Sequence, residues 1–376
     1  MRKKDWKMQN TSMPLVSINC TAYNHAPYIR QCLDGFIMQK TDFPIEILVH
    51  DDASTDGTAD IVREYEQKYP NIIKPIYQTE NQYSKGEGTS INWTYNYSRA
   101  QGKYIAICEG DDYWTDPYKL QKQVGFLEAN PEYGLCYTKV KAYWQEQKEF
   151  EKRLRGDKIC RKDDFFYNWS ISTLTFCLRK DLLFRYYEEI KPETRGWKRI
   201  GDWPMCFWFY CNSRIHLIDE PTGVYRINAG SATNSNSYEE AVKIWKERRK
   251  IFTFFMGYGD CYTPELKKHI INIYLCDRAA IAHRFKRYCE CRKYSKMVDR
   301  DTKHHRIKDI LIWKSMLLTV YIIIKKLVYR CVRRSILLTK MYHYYMTIKK
   351  WLINVSSGKI MLINHQNHGT DSENKS

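Results

Sequence analysis

Residues 104–112 have the sequence Tyr-Ile-Ala-Ile-Cys-Glu-Gly-Asp-Asp. An apolar run of strand length is followed at once by three carboxylates within four positions. Carboxylates packed this closely repel one another, so such a cluster needs either a bound cation or full exposure to solvent. The stretch therefore predicts a buried strand that ends in an acidic site.

Three more strands are predicted ahead of this one, and helical patterns separate them. The predicted strands cover 15–20, 45–50 and 72–77, and the predicted helices cover 26–40, 58–69 and about 89–100. Pro75 makes the third strand an edge strand or an irregular one, because proline cannot donate to a sheet ladder. Alternating strands and helices favour a parallel sheet covered by helices and connected by right-handed crossovers.

A second acidic turn, Asp51-Asp52, closes the predicted strand at 45–50. Ligands of parallel sheets bind beyond the carboxyl ends of the strands, so this turn and residues 109–112 should share one edge. A carboxylate here can accept hydrogen bonds from a base or a ribose. The alternative is a plain turn, because Ser, Thr, Asp and Gly follow Asp52 and favour one.

Two other places offer side chains to a ligand. Thr21, Tyr23 and Asn24 follow the first strand, where a Tyr ring can stack on a nucleobase and the other two can form hydrogen bonds to it; ordinary loop packing is the alternative. Asp202 precedes Trp203-Pro204, and burial beside the Trp would raise the pKa of the carboxyl and suit a general base. A helix N-cap explains Asp202 equally well, since Pro204 stands near the favoured first-turn position.

A divalent cation is the predicted cofactor of the acidic turn. Mg²⁺ and Mn²⁺ are hard ions that take one or two carboxylates and fill their other positions with phosphate oxygens and water. An ion bridging a diphosphate would stabilise the charge on a departing nucleotide. The alternative is a solvated acidic turn in which Asp116 caps the next helix.

The net charge of +18 is unevenly distributed along the chain. Residues 1–130 hold 14 Lys and Arg against 17 Asp and Glu, whereas residues 301–350 hold 12 against 2. The positive charge lies away from the acidic turns, so it indicates a basic docking segment and not a basic active face.

An uncharged run at 315–324 lies within this basic segment, next to Lys325. It is too short to cross a bilayer, which needs about 20 apolar residues. With its flanking cations and aromatics, the segment 301–350 is predicted to lie on an anionic membrane surface; a helical appendage packed on the catalytic domain is the alternative. An odd count of 13 cysteines and a polar N-terminus favour a cytoplasmic protein held peripherally at the inner face of the cell membrane.

Three segments together resemble the family 2 glycosyltransferases of the GT-A fold, a Rossmann-like α/β fold with a mostly parallel sheet flanked by helices. The segments are VSINCTAYN (16–24), EILVHDDASTDGT (46–58) and EGDDYWTDPYKL (109–120). The last is similar to the variant found in bacterial capsule and surface-polysaccharide enzymes. The predicted organisation is a tail (1–12), a GT-A domain (13–235), a helical extension (236–300), basic amphipathic membrane-associating helices (301–355) and a polar tail (356–376).

The resemblance implies transfer with inversion from a nucleoside diphosphate sugar, most often a UDP-sugar, to a hydroxyl of a glycan or lipid-linked acceptor. The Gln-x-x-Arg-Trp signature of processive synthases is absent from the sequence, which favours transfer of one sugar at a time. Asp202 takes the place of the catalytic base, and Asp111 that of the ligand to Mg²⁺ or Mn²⁺. Glu109 takes the first acidic place of the metal motif, where it is expected to act through water or the ribose.

The nucleotide-binding residues implied by the resemblance are Thr21, Tyr23, Asn24, Asp52, Glu109 and Asp111, with Asp52 holding the base. Residues 225–231 are similar to the family's closing loop, which would bring Asp112, Arg226 and Asn228 towards the donor. Asn228 stands where that loop often carries a His, so no metal contact is expected there.

Two other functions agree less well with the sequence. A nucleotidyltransferase would normally have a Gly-rich basic phosphate loop near the N-terminus, and residues 15–30 have none. A nucleic-acid-binding protein using the basic tail would need aromatics interleaved with cations on a known module, and it would leave the acidic turns unexplained. No nucleic-acid partner is therefore expected.

Overall fold

The computed structural model describes most of the first 299 residues. The described residues are 13–87, 91–160, 164–167, 170–195, 197, 200–228, 237–258, 263–299 and 346–349. The chain divides into two compact units, residues 1–270 and 271–376. The predicted tails, and the basic segment 301–355 apart from 346–349, lie outside the described residues, and the predicted domain boundaries stay predictions.

Nine strands form one sheet within the described residues. They are β1 (Val16–Ala22), β2 (Ile45–Asp51), β3 (Ile73–Tyr77), β4 (Tyr104–Ile107), β5 (Tyr113–Trp114), β6 (Tyr133–Trp144), β7 (Glu149–Phe150), β8 (Cys177–Arg179) and β9 (Arg214–Ile227). Their order is β3-β2-β1-β4-β8-β6-β9-β5, and β7 pairs with β6.

Nine α-helices lie within the described residues. They are α1 (Ile29–Ile37), α2 (Thr58–Lys68), α3 (Lys119–Ala129), α4 (Asp164–Tyr167), α5 (Lys180–Ile190), α6 (Asp202–Asn212), α7 (Tyr238–Tyr258), α8 (Pro264–Arg284) and α9 (Tyr288–Met297). No helix among the described residues is long and apolar enough to span a bilayer.

The N-terminal half of the sheet is parallel, as the alternation of strands and helices predicts. β1 pairs with β2 on one side and with β4 on the other, and β2 pairs with β3, all in parallel register. β3, which contains Pro75, lies at the edge of the sheet, as expected for a strand with a missing donor. The four predicted strands are therefore confirmed.

Beyond β4 the sheet is mixed. β8 runs antiparallel to both β4 and β6, whereas β9 runs parallel to β6. The sequence did not predict β8, because three residues are too few to show a period-two pattern before α5 begins.

The helix predicted at about 89–100 is replaced by a π-helical turn, Asn92–Asn96, and a 3₁₀ turn, Tyr97–Arg99. Two asparagine side chains in this segment bond to β1 instead of to solvent. Asn92 Oδ1 accepts from Asn19 Nδ2 at 3.0 Å, and Asn96 Nδ2 donates to the Cys20 carbonyl at 3.3 Å. These tertiary bonds account for the departure from regular helix, a departure that local periodicity cannot show.

The core of the first unit lies on the sheet, mainly between β1, β4 and the helix α1. Ile18, Phe36 and Trp114 belong to one buried cluster, and the Phe36 and Trp114 rings meet edge to face at 4.8 Å. Burial of this apolar surface fixes the direction of β4 and of the acidic turn that follows it.

The second unit has its own small buried cluster. Ala279, Ala282 and Cys291 pack together, and Arg278 pairs with Glu290 at 3.0 Å between α8 and α9.

Candidate active site

The turns that follow β1, β2 and β4 are joined by backbone hydrogen bonds. The Asp52 amide donates to the Ala22 carbonyl, and the Gly110 amide donates to the Thr21 carbonyl, both at 2.9 Å. Because β1 lies between β2 and β4, the two acidic turns share one edge of the sheet, as the sequence predicts.

Gly110 is the residue that lets the acidic turn approach β1 and α1 closely. A Cβ atom at this position would lie 2.9 Å from Ile29 Cδ1, 3.0 Å from His25 Nδ1 and 3.1 Å from Ala22 Cβ. These separations are shorter than normal van der Waals contact, so any larger residue would move the carboxylates on either side of Gly110.

The turn after β1 is tied to the turn after β2 by the side chain of Asn24. Asn24 has a positive φ of 54°, a conformation that asparagine tolerates. Its Oδ1 accepts from the Thr55 amide at 2.9 Å, and its own amide donates to Ser54 Oγ at 2.9 Å. Asn24 therefore shapes the turn, while the neighbouring Tyr23 ring is 45% exposed and can meet a ligand.

Asp52 is buried, and its carboxylate organises the chain after β3. Oδ1 accepts from the Gln82 amide at 2.7 Å, and Oδ2 accepts from the Tyr83 amide at 3.0 Å. Each carboxylate oxygen keeps a second lone pair. In this structure Asp52 thus holds the loop that follows β3, and base binding by Asp52 remains a prediction.

Glu109 is half-buried at the end of β4 and holds its proton unusually strongly. Burial, together with the neighbouring carboxylates of Asp111 and Asp202, raises the pKa of Glu109 to about 7.

Asp202 is linked to this part of the chain by the turn Thr173–Thr175. Asp202 Oδ2 accepts from Thr173 Oγ1 at 3.1 Å, the Leu174 carbonyl accepts from Trp114 Nε1 at 2.8 Å, and the Phe176 carbonyl accepts from the Ile107 amide at 3.3 Å. The predicted general base is therefore connected to the chain on both sides of the acidic turn.

Asp111 and Asp112 are adjacent but have different surroundings. Asp111 is half-buried, and its Oδ2 accepts from the side-chain nitrogen Nδ2 of Asn228 at 3.4 Å. Asp112 is buried, and its Oδ1 accepts from the Arg226 backbone amide at 2.7 Å. Burial and repulsion from Asp111 and Glu109 raise the pKa of Asp112 well above its ordinary value. Asp112 therefore joins the acidic turn to β9, and Asp111 is the more accessible carboxylate.

Arg226 lies in β9, buried beneath the acidic turn. Its guanidinium lies 5.0 Å from the Tyr28 ring and 4.7 Å from the Tyr113 ring. It also donates to the side-chain oxygens of Gln145 and Gln31. Through these contacts Arg226 connects β9 with α1 and with the acidic turn. Asn228 follows β9, and residues 229–236 of the predicted closing loop lie outside the described residues.

Asp202 is the first residue of α6, with Gly201 as the N-cap, so the N-cap alternative for Asp202 is wrong by one position. Oδ1 accepts from the Trp203 amide at 2.8 Å, and Oδ2 accepts from Thr173 Oγ1 at 3.1 Å. Burial raises the pKa of Asp202, as the neighbouring Trp predicts. Its carboxylate is thus held in one orientation and is more basic than an ordinary aspartate.

Replacing Glu109 with Gln should raise the melting temperature at pH 8 in the absence of divalent ions. A carboxyl whose folded pKa is about 7, against an ordinary 4.5, loses stability as the pH rises through that window. The gain should therefore shrink as the pH falls to about 4.5. Thermal denaturation of wild type and Glu109→Gln between pH 4.5 and 8 measures this gain in melting temperature.

Glu128→Gln is the matched control for this prediction. Lys103 lowers the pKa of Glu128, so this replacement should bring no stabilisation at pH 8. Equal melting temperatures of Glu109→Gln and wild type at pH 8 would contradict the electrostatic description of the turn.

The acidic turn suits a divalent ion that is held by only one or two protein carboxylates. Among the described residues no group of three or more His, Cys, Asp or Glu side chains is arranged to hold a metal by protein atoms alone. Mg²⁺ and Mn²⁺ commonly use only one or two carboxylates together with substrate phosphates. Asp111 and Glu109 can supply these, and the repulsion that raises the pKa of Glu109 is what a cation would relieve.

Sequence reasoning missed the residues that hold the candidate groups in place. Thr173, which bonds Asp202, lies in a 3₁₀ turn, and Tyr28 and Tyr113 enclose Arg226. Their contacts join segments distant in sequence, and local patterns carry no signal for such contacts.

An α/β sheet whose parallel strands end in acidic turns at one shared edge is the architecture of a GT-A glycosyltransferase domain. Residues 17–191 match the family model described as "Glycosyl transferase family 2". The chain therefore carries a domain of glycosyl transferase family 2.

Three curated proteins are among those similar to this chain. The uncharacterized protein Rv1520 of Mycobacterium tuberculosis is 34% identical over 239 residues, which are 63% of this chain and 64% of Rv1520. The putative teichuronic acid biosynthesis glycosyltransferase TuaG of Bacillus subtilis is 26% identical over 68% of this chain and 96% of TuaG.

The third is WfaP of Escherichia coli, described as a UDP-Glc:alpha-D-GlcNAc-diphosphoundecaprenol beta-1,3-glucosyltransferase. It is 36% identical over 117 residues, 31% of this chain and 43% of WfaP. The match to Rv1520, given above, covers slightly less than two thirds of the length of that protein.

Proposed function

We propose that this protein is an inverting glycosyltransferase that moves a single sugar from a nucleoside diphosphate sugar, in particular a UDP-sugar, to a hydroxyl group. The proposal rests on the hydrogen bonds that link Asp202, through Thr173 and the turn that follows it, to the strand edge that carries Glu109, Asp111 and Asp52. This link supports a basic carboxylate near the residues suited to a nucleotide and its metal.

In the proposed reaction, Asp202 accepts the proton of the acceptor hydroxyl as that oxygen attacks the anomeric carbon. The bond from the anomeric carbon to the diphosphate breaks, and the nucleoside diphosphate leaves with the bonding electrons. The hydrogen bonds from Thr173 and the Trp203 amide hold the Asp202 carboxylate in one orientation. A raised pKa makes Asp202 a better proton acceptor near neutral pH.

A Mg²⁺ or Mn²⁺ ion held by Asp111, with Glu109 directly or through water, would supply positive charge for the leaving diphosphate. The base and ribose are proposed to lie against Asp52 and the exposed ring of Tyr23, beside turns that Thr21 and Asn24 hold together. Asp112, Arg226 and Asn228 connect the acidic turn to β9 and to the proposed closing loop.

The acceptor is proposed to be a lipid-linked or surface glycan. TuaG is named for teichuronic acid biosynthesis, and the name of WfaP states a UDP-glucose donor and a diphosphoundecaprenol acceptor. These names support the same class of donor and acceptor for this chain.

A thermal-shift screen of nucleoside diphosphate sugars, with and without Mn²⁺, tests the proposed donor class. Binding stabilises the folded state in proportion to the logarithm of the ligand concentration over its dissociation constant. The correct donor should raise the melting temperature only when Mn²⁺ or Mg²⁺ is present. If no nucleoside diphosphate sugar raises the melting temperature, the proposed donor class is wrong.

Peripheral association with the cytoplasmic face of a membrane is also proposed, through the basic segment 301–350. Deleting residues 301–376 should release the protein from anionic vesicles and leave a donor-binding protein, since about 1 kcal/mol of attraction is expected for each Lys or Arg near the surface. Vesicle sedimentation of both proteins measures the effect, with neutral vesicles as the control. Sedimentation of the truncated protein with anionic vesicles would reject this docking role.

A further inference from the structure

Lys119 is a fully buried cation that the proposed reaction does not use. Its Nζ donates to Gln123 Oε1 at 2.6 Å and lies 4.2 Å from the centre of the Trp114 ring. Within the described part of the chain no carboxylate pairs with Lys119, since the neighbouring Asp116 pairs with Lys122 at 2.8 Å. Burial lowers the pKa of Lys119 to about 8, because the ammonium group loses its solvation and gains no paired carboxylate in return.

An apolar side chain of the same length would be more stable at the position of Lys119. A buried charge without an ionic partner costs free energy, whereas an apolar group gains from burial. In addition, α3 begins at Lys119, and the dipole of a helix disfavours a cation at its N-terminus. Packing alone therefore does not account for a lysine here, and the reason lies in the groups that it contacts.

Both groups that Lys119 contacts hold the turn Thr173–Thr175. Gln123 Nε2 donates to the Thr175 carbonyl at 2.8 Å, and Trp114 Nε1 donates to the Leu174 carbonyl at 2.8 Å. An ammonium group can only donate, so it holds the oxygen of the Gln123 amide and leaves the nitrogen for the Thr175 carbonyl. Without Lys119 this orientation of the amide is no longer enforced, and rotation would set its oxygen against the carbonyl oxygen of Thr175.

The same turn carries the hydroxyl that orients Asp202. Thr173 Oγ1 donates to Asp202 Oδ2 at 3.1 Å, and Thr175 Oγ1 donates to the Ser172 carbonyl at 2.6 Å. The second bond closes the turn across Thr173, so a displacement of Thr175 also displaces Thr173. Gln123 and Thr175 are buried, so water does not replace the bond between them when it is broken.

We propose that Lys119 is a positioning residue for the general base. It fixes the turn Thr173–Thr175 through Gln123 and Trp114, and the turn fixes the orientation of the Asp202 carboxylate. The inference rests on the proposed glycosyltransferase function, and it gives Lys119 an effect on the rate of transfer without an effect on donor binding.

Lys119→Met should slow the reaction of the bound donor and leave donor binding unchanged. The measurement is release of UDP, with Mn²⁺ present, from the UDP-sugar that gives the largest thermal shift, and water serves as the acceptor hydroxyl. The rate at saturating donor should fall about tenfold or more, since a small displacement of a reacting group is costly. Rates are expressed per donor-binding site counted by calorimetry, which removes any contribution from unfolded protein.

A double-mutant cycle separates positioning from a general loss of structure. Thr173→Val removes the hydroxyl that contacts Asp202, so it breaks the proposed route at its last step. Adding Lys119→Met to Thr173→Val should then bring little further loss of rate, because both residues act through one path. A double variant whose loss equals the product of the two single losses would overturn the inference.

Gln123→Glu tests the same route even if Lys119→Met does not fold. It keeps an acceptor for Lys119 but loses the donor to the Thr175 carbonyl. UDP release should slow as in Lys119→Met, again with donor binding unchanged and with little further loss on top of Thr173→Val. Release at the wild-type rate by Gln123→Glu would overturn the inference.

Lys122→Met is the matched control, because Lys122 lies on the same helix and pairs with Asp116 and Glu220 at the surface. Its rate should match wild type, and equal rates for Lys119→Met and Lys122→Met would overturn the inference. If Asp202→Asn is slow while Lys119→Met reacts at the wild-type rate, the positioning inference alone falls. If wild type binds no UDP-sugar and releases no UDP, the proposed function falls.

Discussion

Replacing Asp202 with Asn should lower the rate of sugar transfer by about 10²–10⁴-fold, the usual contribution of a general base. The substitution keeps the shape of the side chain, and one oxygen remains to accept from Thr173 or the Trp203 amide. It removes the basic oxygen that would take the acceptor proton. Binding of the donor should persist, because Asp202 is not among the residues proposed to hold the nucleotide.

The measurement is transfer to acceptor, compared with calorimetric binding of the donor by the same variant. Asp181→Asn is a suitable control, because Asp181 is also an acidic residue in the first turn of a helix, α5, and is exposed. Asp181→Asn should transfer at the wild-type rate. A normal transfer rate for Asp202→Asn would reject the base assignment.

Replacing Asp111 with Ala should abolish metal-dependent hydrolysis of the donor, the second large effect. Asp111 is the more accessible carboxylate of the turn, whereas Asp112 is committed to the Arg226 backbone amide. The substitution removes the carboxylate proposed to contact the ion directly, and it leaves only Glu109, which is proposed to act directly or through water. Release of nucleoside diphosphate in the presence of Mn²⁺ measures the effect.

Asp42→Ala is the control for this substitution, since Asp42 is an exposed aspartate before β2, outside the acidic turns. Its hydrolysis rate should match wild type. Asp111→Ala should also lose the thermal shift that Mn²⁺ and the donor produce together. Unchanged hydrolysis and an unchanged shift would remove Asp111 from the metal site.

The sequence predicted the parallel half of the sheet because its strands carry strong local signals. Long apolar runs such as residues 45–50 end in turn-forming polar residues, and proline marks the edge strand β3. Topology then follows from rules for parallel sheets, so the shared edge of the acidic turns was predictable as well.

The mixed half of the sheet and the segment after β3 could not be predicted in the same way. β8 is only Cys177–Arg179, and its antiparallel pairing with β4 depends on contacts made across the sheet. Asn92 and Asn96 leave regular helix because they bond to β1. In both cases tertiary interactions override local preference.

For the candidate site, sequence indicated which carboxylates matter but not how their roles divide. Asp111 and Asp112 are neighbours in sequence, yet only the structure shows that the Asp112 carboxylate bonds to the backbone of β9. Likewise, the link between Asp202 and the acidic turn depends on the turn Thr173–Thr175, whose bonds to Trp114 and to β4 have no local sequence signal.

The most direct test of the proposed donor site is a calorimetric titration of wild-type protein with the nucleoside diphosphate sugar selected by thermal shift. With Mn²⁺ present, binding should be saturable with one site per chain, and EDTA should abolish it. Failure of every nucleoside diphosphate sugar to bind in Mn²⁺, together with tight and salt-sensitive binding of RNA or DNA, would contradict the account.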